Sequence, residues 1–336
     1  MKRLIKNKIF TYGNRCMNIL DRKISEYSLY FYEEKKSLIT ILFHGLFNNE
    51  DEIKLNHVDP QQSMTTEKFD QFIKYFKKHD YIFVSPDDII NGLDSTKNHI
   101  LITFDDGYYS NIHALPILKK YDVPALFFIS SNHVKENKCF WWDVVYRQRV
   151  NQGFEKDKIY IETESLKDRK NSEIENYIEE EFGNKALQPI SDIDRPFTPH
   201  ELKKFAKNKH VFIGNHTNNH AILTNYKVNE MREEIENSQN SILDMTGILP
   251  TAIAYPNGNY SNDVIRESKM IDGLKLGITT LHKKNLFPLF INKNDPFILS
   301  RFTLWGNQNI DSQCRFFRTD VHLLKKISRI YKNWNI

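Results

Sequence analysis

Cysteine and glycine are both scarce in this 336-residue chain, which contains three cysteines and 12 glycines. Cys16, Cys139 and Cys314 are far apart, odd in number and not arranged as CxxC pairs, which excludes a disulfide scaffold and a cysteine-based metal module. So few glycines beside 23 phenylalanines and 16 tyrosines are unlike a turn-rich β-sandwich. The composition therefore favours a packed α/β or all-α enzyme in a reducing compartment.

A strong charge imbalance and long apolar segments are also missing. The 47 Lys and Arg residues outnumber the 43 Asp and Glu residues only slightly, which does not indicate a nucleic-acid-binding protein. No stretch is long and apolar enough to span a membrane, and the basic segment 1–8 lacks the apolar core of a secretory signal. We therefore expect a cytoplasmic protein that does not bind nucleic acid.

From residue 38 onward, short apolar runs alternate with segments of helical periodicity, which is typical of an α/β fold. The runs expected to form strands are 38–43, 81–84, 100–104, 125–129, 211–213, 252–255, 276–279 and 297–304. Among the helical segments, one opens at Thr65 and places Phe69, Phe72 and Phe76 on one face, and another ends at Gly247. Seven to eight strands with interleaved helices predict a distorted (β/α) barrel with N- and C-terminal extensions.

The chain divides into a basic N-terminal extension (1–37), a main domain (38–310) and a C-terminal segment (311–336). Within the main domain, residues 150–197 are rich in Glu, Lys, Asp and Asn, and we interpret them as a solvated insertion over the barrel mouth or flank, or as a mobile charged loop. Residues 311–336 combine apolar positions at helical spacing with Arg and Lys. They predict a basic amphipathic helix that packs against the barrel or contacts an anionic membrane surface.

Reactive side chains follow the ends of several expected strands. His44 follows the first, Asp105 and Asp106 follow the third, His216 follows the fifth, and Tyr255 closes the sixth. In a barrel the carboxyl ends of the strands share one face, where active sites form. The sequence therefore predicts that these residues meet at one site.

The histidines and the paired aspartates together indicate a metal site. His216 and His220 are four residues apart, which on a helical turn places two imidazoles on one face. One carboxylate from the Asp105-Asp106 pair completes a three-ligand site with open coordination positions, as a catalytic metal requires. The second carboxylate remains available to face a substrate.

Two motifs resemble those of the polysaccharide deacetylases, the NodB-homology group of carbohydrate esterases. Residues 103–107, Thr-Phe-Asp-Asp-Gly, match one family motif, and residues 216–220, His-Thr-Asn-Asn-His, match the family's His-(Ser/Thr)-x-x-His motif. The resemblance extends over roughly 38–304. It implies a distorted (β/α) barrel, a divalent metal ion and a carbohydrate substrate.

The resemblance also implies roles for individual residues. Asp105 is the expected general base, and Asp106, His216 and His220 are the expected metal ligands. Histidine and carboxylate donors favour Zn²⁺ and tolerate Co²⁺, Ni²⁺ or Mn²⁺. The general acid is either His44, as in the poly-N-acetylglucosamine deacetylase branch, or His282 in a Leu-x-His-like segment, and we favour His44.

Other residues are candidates for supporting the site. A family motif usually carries an arginine where this chain has Ala254, and Arg301 is a candidate to supply the missing charge or to form an ordinary salt bridge. Trp142 is a candidate to stack on a sugar ring or to pack in the core. Tyr255 is expected to line the site, and together Trp142, Tyr255 and Arg301 are the expected substrate-binding residues.

The favoured function is metal-dependent hydrolysis of an N-acyl group, with acetyl preferred, from an amino sugar in a polysaccharide, oligosaccharide or carrier-linked glycan. Removal of a formyl group or an O-acetyl ester fits the same residues, and a degenerate domain that only binds glycans is a further alternative. An iron(II) oxygenase also uses two histidines and a carboxylate, but normally with a tight His-x-Asp pair. We expect action during surface-polysaccharide synthesis, in the cytoplasm or at the inner membrane face, and the sequence does not define the oligomeric state.

Overall fold

The computed structural model describes residues 23–24, 26–290 and 295–319. The strands are β1 (Ser37–Phe43), β2 (Ile82–Phe83), β3 (His99–Phe104), β4 (Ala125–Ile129), β5 (Val211–Asn215), β6 (Ala252–Ala254), β7 (Leu276–Ile278), β8 (Asn285–Leu286) and β9 (Phe302–Thr303). The α-helices are α1 (Glu50–Lys54), α2 (Thr66–Lys78), α3 (Pro86–Asn91), α4 (Ala114–Tyr121), α5 (Ser131–Glu136), α6 (Trp141–Asn151), α7 (Lys156–Leu166), α8 (Asn171–Phe182), α9 (Pro199–Ala206), α10 (Val228–Thr246), α11 (Asn262–Met270) and α12 (Ile310–Arg318).

One curled sheet forms the centre of the fold. Its strands run in the order β7-β6-β5-β4-β3-β1, and each neighbouring pair in that order is parallel. β9 pairs with the other edge of β1, and Ile278 at the end of β7 bridges Leu299 just before β9, so the segment around β9 links the two edges of the sheet. The expectation of a distorted (β/α) barrel is confirmed.

Two details near the end of the sheet differ from the sequence interpretation. The run 297–304, expected to be one strand, contains a 3-10 turn at Pro296–Ile298 and only the short strand β9. Asp295 Oδ1 accepts a hydrogen bond from the backbone N–H of Phe297, and Pro296 occupies the first position of the turn, so the chain coils there before it extends. The antiparallel strand β8 was not expected.

The two amphipathic helices predicted from spacing are confirmed. Thr65 caps α2, whose buried side includes Phe69, Phe72 and Phe76, and α10 ends at Gly247 with φ +79°. Alternate residues of the buried strands face opposite sides of the sheet, as the two-residue period requires. In β3, for example, Ile102 packs under the outer helices, while Leu101 faces the interior of the barrel.

The segment 150–197 is more ordered than a charged loop. It contains α7 and α8, which bury four apolar side chains against α6 in a separate cluster: Ile159, Leu166, Ile174 and Ile178. A buried ion pair between Arg147 and Asp194 fastens its far end to α6. These apolar positions are too widely spaced among Glu and Lys residues for the composition to reveal a packed helical pair.

The terminal segments are described only in part. Most of the expected extension 1–37 and all of residues 320–336 lie outside the described residues, so the predicted basic helix over 311–336 is represented only by its first turns in α12. In the described part of the chain, each helix is too short or too polar to cross a bilayer. Cys139 and Cys314 are both buried and free.

Candidate metal and catalytic site

The turn after β3 carries Asp105 and Asp106. Asp106 adopts φ +75°, which Asp tolerates better than most residues, and Gly107 follows with φ +88°. A Cβ at Gly107 would lie 3.1 Å from Ile129 Cδ1, so a side chain there would meet both strain and crowding. This tight turn sends the two neighbouring carboxylates in different directions from the end of one strand.

The loop after β5 brings His216 and His220 together, although it is not the helical turn that their spacing suggested. Thr217 and His220 both have positive φ, of 63° and 52°. Asn215 Oδ1 accepts a hydrogen bond from the Thr217 N–H at 2.8 Å, and Thr217 Oγ1 accepts one from the Ala221 N–H at 2.7 Å. The expectation of a helical turn is therefore wrong, because side-chain hydrogen bonds hold this segment in a strained loop.

Asp106, His216 and His220 converge on one point. Their candidate ligand atoms all lie within 4.8 Å of one another, and Asp106 Oδ1 is 3.4 Å from His216 Nε2 and 3.3 Å from His220 Nε2. His216 Nδ1 donates to the carbonyl oxygen of Ala254 at 2.8 Å, which leaves Nε2 as the ligating nitrogen. Burial opposes ionisation of Asp106, but the two histidines hold its pKa below the ordinary value.

The same three residues fit a divalent metal ion by a second criterion. Both carboxylate oxygens of Asp106 are buried and accept no hydrogen bond from the described residues. An unpaired buried carboxylate is costly unless a cation neutralises it. A buried carboxylate with two imidazole nitrogens nearby is the donor set of many three-ligand catalytic metal sites.

Asp105 has a different partner. Arg301 Nη1 donates to Asp105 Oδ1 at 2.7 Å, and Arg301 Nη2 donates to Oδ2, so the pair is bidentate and almost fully buried. Burial opposes ionisation of Asp105, but Arg301 and His216 more than offset it and hold the pKa of Asp105 below its ordinary value. Arg301 thus places a positive charge beside Asp105, which is the charge expected to replace the arginine missing at Ala254. It also lines the cavity, so its expected contact with a substrate stays a prediction.

The two candidate acids lie in different surroundings. His44 borders the same cavity as Asp105 and Asp106, and its Nδ1 donates to Gln62 Oε1 at 2.9 Å. Gln62 Nε2 donates to the carbonyl of Leu42, which fixes the amide so that His44 Nε2 is the nitrogen left to exchange a proton. His282 does not line this cavity, and its ring packs edge-on against Phe302.

A cavity of about 500 Å³ connects these groups. Its lining includes all five residues expected to act as base, acid or metal ligands: His44, Asp105, Asp106, His216 and His220. Trp142 also lines it, with its ring centroid 4.5 Å from that of His220 and its Nε1 donating to Tyr108 Oη. Four of them, His44, Asp105, Asp106 and His216, thus meet at one site, as their positions after strand ends predicted.

The expectation that Tyr255 lines the site is wrong. Its side chain is fully buried, its hydroxyl donates to the carbonyl of Phe297 at 3.0 Å, and it does not line the cavity. Residues 253 and 255 share one face of the extended chain, and that face packs against α11. The backbone at the end of β6 contributes instead, through the Ala254 carbonyl that orients His216.

Several cavity residues were not anticipated from the sequence. Trp305 comes directly after the expected run 297–304, so its position at a strand end was a signal that could have found it. Tyr160 and Thr163 in α7 and Lys167, the residue that follows it, recur at helical spacing, but the charged composition of this segment hid that signal. Gln62 lies in a loop, and nothing in its sequence context indicates its contact with His44.

Comparisons with known proteins show the family to which the chain belongs. A sequence model described as polysaccharide deacetylase matches residues 92–273, more than half of the chain. The poly-beta-1,6-N-acetyl-D-glucosamine N-deacetylase of Staphylococcus aureus is 28% identical over 136 residues, which are 39% of this chain and 44% of that protein. The aligned part thus spans less than half the length of this curated relative.

Solved structures share the fold. The deacetylase PplD from Streptococcus pyogenes, in complex with acetate, is 18% identical and superposes with a TM-score of 0.57 over 84% of this chain and 99% of its own. IcaB from Ammonifex degensii is 15% identical, with a TM-score of 0.55 over 85% of this chain and 99% of its own. His44 and Arg301 lie outside the segment that the family model matches, so their placement rests on the tertiary structure.

Proposed function

The chain belongs to the polysaccharide deacetylase family, and from this premise we propose that it hydrolyses N-acetyl groups of amino sugars in a glycan. The observation that carries the proposal is the convergence of Asp105 with the Asp106–His216–His220 cluster in one cavity. A buried base beside a three-ligand cation site is the arrangement that amide hydrolysis needs. The curated relatives act on poly-beta-1,6-N-acetyl-D-glucosamine by name, which makes that polymer the first substrate to test.

Asp106, His216 and His220 are proposed to hold the metal ion. Zn²⁺ suits two imidazoles and a carboxylate best, and Co²⁺, Ni²⁺ or Mn²⁺ are tolerated by the same donors. When bound, the ion supplies Lewis acidity at the scissile carbonyl. The Ala254 carbonyl fixes the His216 ring in the orientation that ligation requires.

Asp105 is proposed to be the general base. Its carboxylate accepts a proton from the water that attacks the amide carbon, and Arg301 keeps it ionised and oriented for that step. Because both Asp105 oxygens are paired with Arg301, the arginine acts by positioning the base. Trp142 is proposed to contact the sugar through the part of its ring that borders the cavity.

His44 is proposed to be the general acid. Its Nδ1 proton is committed to Gln62, so it can act as an acid only as the imidazolium, whose second proton on Nε2 moves to the departing nitrogen. The C–N bond breaks as this proton is transferred, and the products are acetate and the free amine of the sugar. His282, packed against Phe302, is not assigned a role in the reaction.

The test is acetate release from β-1,6-linked N-acetylglucosamine oligomers by the zinc-loaded chain. We expect Asp105→Asn to reduce kcat by at least about 100-fold, in keeping with loss of a general base. Asp122→Asn is the matched control, because Asp122 is an exposed carboxylate that precedes β4, at the end of the strands opposite to Asp105, and is expected to be dispensable. Equal rates for the parent and Asp105→Asn would reject the assignment of the base.

The same assay distinguishes N-deacetylation from the other functions that the sequence allows, which are N-deformylation, O-deacetylation and glycan binding without catalysis. Formate release from an N-formylated sugar, or acetate release only from an O-acetylated one, would redirect the substrate assignment without changing the machinery. Oligomer binding with no acyl release under any metal would favour a glycan-binding domain. Contact of the C-terminal segment with a membrane stays a prediction, since most of that segment lies outside the described residues.

A further inference from the structure

The loop after β5, which carries both histidine ligands, is held by polar contacts from three helices. On α5, Asn132 Nδ2 donates a hydrogen bond to Asn219 Oδ1 at 3.0 Å, and on α10, Glu234 accepts hydrogen bonds from the N–H and the side-chain amide of Asn219. On α8, Asn171 Nδ2 donates to the main-chain carbonyl of Asn219. Helices α5 and α10 follow strands β4 and β5, whereas α8 belongs to the segment 150–197, which we call the insertion. One of the three supports of this loop therefore comes from the insertion.

The hydrogen bond from Asn171 reaches the main chain next to a metal ligand. The Asn219 carbonyl belongs to the peptide bond that joins Asn219 to His220, and a peptide bond is planar. A donor that fixes this oxygen therefore helps to fix the plane from which the His220 side chain projects. His220 has φ +52°, a conformation that few residues other than glycine adopt, so this stretch of backbone needs contacts that hold it. Asn171 is buried, so water competes little for the same carbonyl.

The two histidine ligands are held in different ways. His216 Nδ1 donates to the Ala254 carbonyl at 2.8 Å, which fixes the orientation of the ring directly. The His220 ring packs against Trp142 and His216, with ring centroids 4.5 and 4.9 Å away. Packing between rings is less directional than a hydrogen bond, so the backbone of the loop has to set the position of His220.

The turn before α8 is also joined to the segment that follows His220. Asn225 Nδ2 donates to the carbonyl of Lys167 at 2.7 Å, and the N–H of Asn171 donates to the Tyr226 hydroxyl at 2.8 Å. The Lys167 side chain lines the cavity. The insertion therefore connects one wall of the cavity to the loop that carries the metal ligands.

We propose that Asn171 is a positioning residue for the metal ligand His220, and that the insertion supports the metal site through this side chain. The inference rests on the proposed metal-dependent function and adds to it a residue that lies outside both sequence motifs. Without the amide donor, the carbonyl before His220 is unpaired, and the His220 ring is held less firmly at the point where Asp106 and His216 converge. Partners that orient metal ligands typically contribute about 10- to 100-fold in metal affinity.

The test measures zinc affinity, by competition with a chromophoric chelator, in the parent, Asn171→Ala and Asn171→Leu. Both variants should bind Zn²⁺ at least about tenfold more weakly than the parent, with the circular dichroism spectrum retained. Asn171→Leu keeps the branched shape of the side chain without its donors, so its weaker binding would not come from an empty space. Asn225→Ala is the matched control, because it removes an amide from the same junction whose bonds end on the carbonyls of Lys167 and Arg169. Its zinc affinity should equal that of the parent.

A second measurement separates positioning of the ligand from stability of the insertion. The visible absorption of bound Co²⁺ depends on the geometry of its ligands. We expect the Asn171 variants to change this spectrum and Asn225→Ala to leave it unchanged. Loss of either amide should lower the urea midpoint of the metal-free chain, so that effect by itself does not mark a positioning residue.

These readouts need no substrate, so they stand apart from the proposed deacetylase reaction. Weaker zinc binding and an altered cobalt spectrum in the Asn171 variants alone would support the inference even if the parent released no acetate from any sugar. Parent-like zinc affinity and cobalt spectra in both Asn171 variants would overturn it and leave the deacetylase function standing. An equal loss of zinc affinity in Asn225→Ala would also overturn it, because the whole junction would then be responsible. A parent that binds neither ion would overturn the ligand assignment and this inference with it.

Discussion

The buried pair between Arg301 and Asp105 should make a large and specific contribution to stability. The two side chains are 1% and 4% exposed, so solvent screens their interaction little. In Arg301→Gln the Asp105 carboxylate stays buried without its bidentate partner, and removing one member of such a pair typically costs about 3–5 kcal/mol. For a chain of this length that corresponds to about 4–7 °C in the thermal midpoint.

A double-mutant cycle isolates the pair from the other contacts of Arg301. Its Nε also donates to the Thr279 carbonyl at 3.2 Å, and its Nη1 to Thr103 Oγ1 at 3.1 Å, and these bonds are lost equally with or without the Asp105 charge. We expect urea denaturation to show that Arg301→Gln lowers the unfolding free energy by at least about 2 kcal/mol less in the Asp105→Asn chain than in the parent. Lys209→Gln, which breaks a pair with Asp122 in which the two side chains are 76% and 74% exposed, should leave the unfolding free energy nearly unchanged. A cost for Arg301→Gln that is the same in both backgrounds would refute the reasoning.

Three further outcomes follow from the site and its surroundings. Zn²⁺ at about 100 times its Kd should raise the unfolding free energy of the parent by about 2.7 kcal/mol in thermal denaturation and leave that of His216→Ala unchanged. A comparable stabilisation of His216→Ala would argue against the proposed ligands. Glu234 accepts hydrogen bonds from the N–H and side-chain amide of Asn219, next to His220, so Glu234→Gln should weaken zinc binding about tenfold in calorimetry while the circular dichroism spectrum is retained. Burial lowers the pKa of His133 to about 3, so on acidification the unfolded chain takes up a proton at this residue near the ordinary pKa of 6.5, before the folded chain does. The free energy of unfolding, relative to that of His133→Gln, should therefore fall by about 1.4 kcal/mol per pH unit below 6.5. A difference in unfolding free energy between the two proteins that is constant from pH 7 to 4 would contradict this.

The sequence was informative wherever a short motif carries its own geometry. The Asp105-Asp106-Gly107 turn follows a strand by local necessity, because the backbone reverses there through positive φ at Asp106 and Gly107. Its position at a strand end was enough to predict that Asp106 would meet His216 and His220. The helical spacing in α2 was equally local, and the structure confirms it.

Interpretation from the sequence failed where a role depends on partners that are distant along the chain. Tyr255 closes a strand, as expected, but the face that its side chain occupies depends on how β6 packs against α11. The His216–His220 spacing is compatible with a helix, and only the side-chain bonds from Asn215 and Thr217 hold it as a loop. Composition alone concealed the packed pair α7 and α8, because the surfaces that they expose are charged.

By itself, the sequence determined the alternation of strands and helices, the family, and which carboxylates and imidazoles are available for catalysis, because these properties reside in local periodicity and short motifs. The tertiary structure decided which of two histidines lines the cavity. It also decided that Arg301, 196 residues beyond Asp105 in sequence, supplies the charge missing at Ala254, and that Tyr160 and Trp305 border the same cleft. Those pairings arise only when the sheet curls and brings its two edges together, and the curl depends on packing contacts between segments that are remote in sequence.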